Sequence, residues 1–140
     1  MARPKNEQPT PAELDVLKIL WDRGPSTVRE VLDVFKERRH RRAYTSVMSL
    51  MNVMTEKKLL VRKARGRAFV YSTRLKRSRT LNTLVGDVLS RAFEGSTSSL
   101  VAHLLDETGP SAEELEEIRR TIDAYEKESE GDYENENRGA

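Results

Sequence analysis

Apolar residues in this chain recur mostly at spacings of three and four, interrupted once by a stretch with an extended period. Leu14, Leu17, Leu20 and Trp21 make the first stripe, and that spacing puts side chains on one face of an α-helix. Thr10-Pro11-Ala12-Glu13 stands just before it. Thr10 can cap, Pro11 suits the first helical position, and Glu13 completes a capping box. Gly24-Pro25 ends this helix. Ser26-Thr27 and Glu30 repeat the start signal, and Val28, Val31, Leu32 and Phe35 predict a second helix over residues 27–37. A third helix follows the basic run Arg38-Arg39-His40-Arg41-Arg42. Its Val47, Leu50, Met51 and Met54 must face a core. Its opposite face holds Thr45, Ser46, Ser49 and Asn52, which are small, polar and uncharged.

After Lys57-Lys58 the pattern changes. Leu59–Lys63 and Arg67–Ser72 predict two strands, joined by a tight turn at Ala64-Arg65-Gly66 where glycine can take positive φ. Helical spacing then returns. Leu81, Leu84, Val85, Val88, Leu89 and Phe93 form a broad stripe ended by Gly95. Leu100, Val101, Leu104 and Leu105 form a short one, ended by Gly109-Pro110. Ser111 to Glu114 signals a further helix, whose Leu115, Ile118, Ile122 and Tyr125 resemble a coiled-coil seam. The predicted fold class is mainly α with a small β-hairpin. Four segments are expected: a flexible arm over 1–9, a compact domain over 10–77, a helical region over 78–127, and a disordered polar tail over 128–140.

Charge changes this picture more than composition does. The net charge is only +2. Residues 1–80 hold 20 Lys and Arg against 8 Asp and Glu, whereas residues 81–140 hold 5 against 15. A basic half suited to a polyanion is thus followed by an acidic half with another task. The chain has 140 residues, 36% of them hydrophobic and 34% charged, and a mean hydropathy of −0.70. So polar a chain of this length often completes its core with a second copy. With no cysteine, disulfide scaffolds, thiolate metal sites and cysteine catalysis are excluded. No apolar run can span a bilayer, and MARPKNEQPTP lacks the apolar centre of a secretory signal. A cytoplasmic protein without membrane insertion is expected.

Three helices and then a basic hairpin are the order of a winged helix-turn-helix. A duplex major groove admits one α-helix, and base edges offer donors, acceptors and the thymine methyl. Thr45, Ser46, Met48, Ser49 and Asn52 suit those edges. Arg41 and Arg42 before the helix, with Arg65 and Arg67 on the hairpin, suit the flanking phosphates. Catalysis finds no support. The glycines form neither a G-x-G-x-x-G nor a phosphate loop, and no H-E-x-x-H or G-x-S-x-G occurs. No metal or other cofactor is expected. Two rival classes remain: a winged-helix adaptor whose basic face binds an acidic protein, and a nonspecific architectural DNA binder. The low charge of the third helix favours reading over coating.

Ala12-Glu13-Leu14 through Ile19-Leu20-Trp21, and Gly24-Pro25-Ser26-Thr27-Val28-Arg29-Glu30-Val31, resemble the start of penicillinase repressors of the BlaI/MecI type. Ala43-Tyr44-Thr45-Ser46-Val47 resembles their third helix, and Lys58-Leu59-Leu60-Val61 with Gly66-Arg67-Ala68-Phe69-Val70-Tyr71 their wing. Gly95, Ser99-Leu100-Val101 and Ser111–Leu115 resemble their C-terminal part. The resemblance covers roughly residues 10–125. It implies a bacterial homodimeric transcriptional repressor on an inverted-repeat operator of double-stranded DNA. C-terminal helices would hold the dimer, with Leu81, Leu84, Val88, Leu100, Leu104, Leu115, Ile118 and Ile122 expected in the seam. It also implies release by a membrane sensor-protease that triggers cleavage in the C-terminal part. Three departures stand out. His103-Leu104 occupies the place of the family's better-known Asn-Phe cleavage pair, Val53 stands where many members have arginine, and the cysteine-rich site of the related copper-responsive repressors is missing.

Overall fold

The computed structural model describes residues 8–138, with side chains to residue 132. Residues 1–7 of the expected arm and 139–140 of the expected tail lie outside the described residues. The element order is α1 (Pro11–Arg23), α2 (Val28–Glu37), α3 (Tyr44–Glu56), β1 (Leu60–Arg65), β2 (Ala68–Thr73), α4 (Arg77–Ala92), α5 (Thr97–Thr108) and α6 (Ala112–Arg138). The chain divides into two compact units, with the border between Val88 and Leu89.

In the N-terminal unit α1 and α2 start where their caps dictate. Glu13 N–H donates to Thr10 Oγ1 at 3.2 Å, and Thr10 N–H donates to Glu13 Oε1 at 2.9 Å. Thr27 and Glu30 repeat this box at 3.2 and 3.1 Å. The Glu13 carboxylate is buried, and its second oxygen accepts from Lys57 Nζ at 3.0 Å. That pair joins the start of α1 to the end of α3, and satisfies a charge that would be costly to bury alone.

One core fills this unit. Val16, Leu17, Ile19 and Leu20 of α1 meet Val28, Val31, Leu32 and Phe35 of α2, Val47, Met51 and Met54 of α3, and Leu60 and Tyr71 of the hairpin. The helical stripes and the extended segment therefore converge as their periods require. The hairpin pairs antiparallel from Leu60↔Thr73 to Arg65↔Ala68. Its loop is the two-residue Gly66-Arg67, not the three-residue Ala64-Arg65-Gly66 expected. Gly66 has φ +62°, which a two-residue hairpin loop favours because it matches strand twist. Both strands are displaced along the chain from where their apolar residues signal: β1 starts one residue later and ends two residues later, and β2 starts and ends one residue later. Ser26 adds a short third rung: its N–H donates to Tyr71 O at 3.0 Å, and its O accepts from Tyr71 N–H at 2.8 Å. The unit extends beyond the hairpin to the first turns of α4, where Thr80 is buried. The division thus falls inside α4 instead of at 77/78.

The second unit is helical. Ser96 caps α5, accepting from Ser99 N–H at 3.2 Å, and Gly109 closes it in the left-handed conformation. Ser111 Oγ accepts from Glu114 N–H at 3.1 Å at the start of α6. The disordered tail expected from residue 128 is corrected: α6 continues to Arg138. Once a helix is nucleated, each further residue adds a backbone bond, and Glu126, Lys127, Glu128 and Glu130 are good helix formers. The loss of apolar period beyond Tyr125 removes packing, not helicity.

Candidate nucleic-acid interface

The outer face of α3 follows from how its inner face is buried. Val47, Met51 and Met54 point into the core. At 100° per residue this turns Thr45, Ser49 and Asn52 to the opposite side, with Met48 and Ser46 on its flanks. Thr45, Ser46, Met48 and Ser49 are exposed, Met48 at 37%. Val53, also exposed, lies beside them. Between Tyr44 and Glu56 the helix carries no charge except that of Glu56, at its far end.

The N-terminus of α3 differs from those of α1, α2 and α5. Its N-cap is Ala43, which offers no side-chain acceptor where Thr10, Thr27 and Ser96 each accept, and its first turn, like that of α5, has no acidic residue. The first amides of a helix have no partner within it, and the dipole there favours an anion. A phosphate would satisfy both conditions.

Cations flank α3 on two sides. Arg41 is exposed in the loop before it. Arg42 is turned inward: its guanidinium lies 3.6 Å from the Asp15 carboxylate and 5.1 Å from the centre of the Phe35 ring. Much of its charge is therefore matched within the chain, which leaves it less to offer a phosphate than its place in the loop suggests. Arg65 ends β1 and Arg67 sits in the hairpin loop, both exposed.

Asn52 is the base-facing candidate whose surroundings differ most from expectation. It is half-buried, and its Oδ1 accepts from Tyr71 OH at 2.9 Å and from Arg62 Nη1 at 3.1 Å. Arg62 belongs to the basic cluster that the sequence puts around the hairpin tip, but it is not among the expected phosphate contacts. It lies on the hairpin face that turns toward α3, directly opposite Tyr71, with its guanidinium 4.3 Å from the centre of the Phe69 ring. Strand alternation around the buried Leu60 is the signal that could have placed it there. A shallow, open groove of about 430 Å³ lies between the end of α3 and the base of the hairpin, lined by Thr55, Lys58, Leu60, Val61, Arg62 and Arg74. It continues the basic surface beside α3.

The residues expected to join two copies are held less firmly. Leu81, Leu84, Leu100, Leu115 and Ile118 are half-buried, while Val88, Leu104 and Ile122 are exposed. His103 packs edge-on against Phe93, ring centres 5.6 Å apart, within the second unit. Among the described residues, no cluster of three or more His, Asp or Glu could hold a metal ion, and no helix is long and apolar enough to cross a membrane.

Known proteins resemble this chain over most of its length. The sequence profile of the family described as penicillinase repressor matches residues 9–124. A protein of Bacillus licheniformis named penicillinase repressor is 25% identical over 127 residues, spanning 86% of this chain and 94% of its own length. A protein of Mycobacterium tuberculosis named transcriptional regulator BlaI is 31% identical over 112 residues, spanning 79% of each chain.

Proposed function

The chain belongs to the penicillinase repressor family, and on that premise we propose that it is a transcriptional repressor that reads DNA as a homodimer on an inverted-repeat operator. One observation carries this: an uncharged helix face is bracketed by a basic loop and a basic hairpin. Thr45, Ser46, Met48 and Ser49 present hydroxyls and a thioether to base edges, where donors, acceptors and methyls distinguish base pairs. Arg41, Arg65 and Arg67 hold the phosphates on either side. Binding assays on duplexes of varied sequence and salt test this. With about 6–10 phosphates neutralised by a dimer, affinity falls on the order of 10³–10⁵ between 50 and 200 mM salt. Equal retention of every sequence would overturn it, as would retention of an acidic protein in preference to DNA.

The homodimer rests on the second unit. Among its described residues none is fully buried, so its apolar stripes lack a matching face. Burial contributes roughly 25 cal/mol per Å², and a second copy supplies that face. Release by proteolysis fits α5. Leu104 is 50% exposed and α5 contains no buried residue, so local opening to the extended form a protease needs costs little. A cut at His103-Leu104 would sever α6 and unlink the two DNA-binding halves. A chain truncated after Leu105 is expected to keep its N-terminal fold and bind DNA weakly, losing on the order of 10²–10⁴ in avidity. Undiminished dimerisation and affinity in that truncation would exclude cleavage here as the inducing event.

A further inference from the structure

Both strands of the hairpin are tied to α3 through a single oxygen atom. Tyr71 OH, from β2, donates to Asn52 Oδ1 at 2.9 Å, and Arg62 Nη1, from β1, donates to the same oxygen at 3.1 Å. Arg62 and Tyr71 are direct cross-strand partners, so the two donors arrive side by side from one face of the sheet. Phe69 lies under the Arg62 guanidinium at 4.3 Å, diagonal to it across the strands, and restrains its orientation. The Tyr71 ring is buried and its main chain is bonded to Ser26, so its hydroxyl is held in place from behind.

An amide oxygen has two lone pairs, and here both have partners. The two-bond recognition of adenine by asparagine needs that same oxygen to accept from the N6 amino group while the amide nitrogen donates to N7. Asn52 cannot do this while it holds Tyr71 and Arg62. We propose that Asn52 is a positioning residue: with Tyr71 and Arg62 it sets the angle of the hairpin against α3, so that base contacts and phosphate contacts are presented as one preorganised surface. The proposal rests on the DNA-reading function above. Its value to binding is that the hairpin need not be ordered when the duplex arrives.

Three chains test it: wild type, Tyr71→Phe, which removes only the hydroxyl, and Asn52→Ala. Each is used to recover duplexes from a random-sequence pool, and each is then measured on the wild-type consensus duplex. Both variants are expected to recover the same base sequence as the wild type. Each is expected to bind that duplex about tenfold more weakly: Tyr71→Phe loses the part-buried bond from Tyr71 to Asn52, and Asn52→Ala loses that bond and the exposed one from Arg62. The double variant is expected to be no weaker than either single one, since both break one cluster. Amide exchange in the free protein is expected to quicken across Leu60–Thr73 in Tyr71→Phe. A changed base at one position with Asn52→Ala, alongside wild-type behaviour of Tyr71→Phe, would show that Asn52 reads a base and overturn the positioning role. Unaltered affinity and exchange in both variants would overturn it too, while leaving DNA reading intact. A wild-type chain that recovers no common sequence would overturn the DNA-reading function itself, and this inference with it.

Discussion

Glu30 closes a capping box and an ion pair with one carboxylate. Thr27 N–H donates to one of its oxygens and the Arg23 guanidinium bonds the other. These bonds, the Thr27 amide foremost, hold its pKa below the ordinary value of 4.5 despite an opposing effect of burial. A carboxyl depressed in the folded state adds stability above its unfolded pKa, and that contribution is lost as pH falls through the folded value. Glu30→Gln is therefore expected to remove part of the loss of stability below about pH 4.5 and to leave the rest of the profile nearly parallel to wild type, as thermal melts against pH would show. The effect is small, because the site is well exposed and screened. Both capping boxes are legible in the sequence, since cap and partner lie three residues apart. The bonding of Asn52 is not. It depends on Arg62 and Tyr71, 10 and 19 residues away: strand alternation can put Arg62 on the same face as Leu60, but no local pattern shows that this face meets Asn52.

Helix α3 and the β1–β2 hairpin respond differently to substitution. Thr45→Val or Ser49→Ala is expected to change preference among duplexes, at ~1–3 kcal/mol for each well-made bond to a base edge that is removed. Arg65→Ala and Arg67→Ala are expected to weaken all duplexes about equally and to flatten the salt dependence. Titrations of a duplex panel at two salt concentrations separate these outcomes, and equal sequence-independent losses from helix and hairpin would refute the division of roles. The two elements are also unequally readable. The period of α3 follows directly from Val47, Leu50, Met51 and Met54. The register of the hairpin does not follow from its residues in this way, because its tip, from Arg62 to Arg67, is basic and Ala64 is its one apolar residue. Only the positive φ of Gly66, as the first of two loop residues, fixes the pairing Arg65↔Ala68. Beyond Tyr125, the length of α6 is hidden for a related reason: apolar period marks packing, whereas helix can continue on propensity alone.

All fully buried apolar side chains among the described residues lie between Val16 and Tyr71. The second unit instead exposes Val101, Leu104, Ile122 and Tyr125, the last at 71%. Leu115→Asp and Ile118→Asp are expected to leave the N-terminal unit folded, to give monomers in sedimentation, and to weaken consensus-duplex binding by about 10²–10⁴ through lost linkage. A wild-type monomer at micromolar concentration would end that argument. The placement of the core also has a genetic consequence. Because the core residues of the N-terminal unit lie between Val16 and Tyr71, residues 89–140 can be produced by themselves as a fragment without the half proposed to bind DNA. Expressed in excess, such a fragment is expected to capture full-length chains in mixed pairs that carry one reading head each. A reporter under the repressor's control would then be switched on in trans, as a dominant phenotype, with no inducer and no change in the amount of intact repressor.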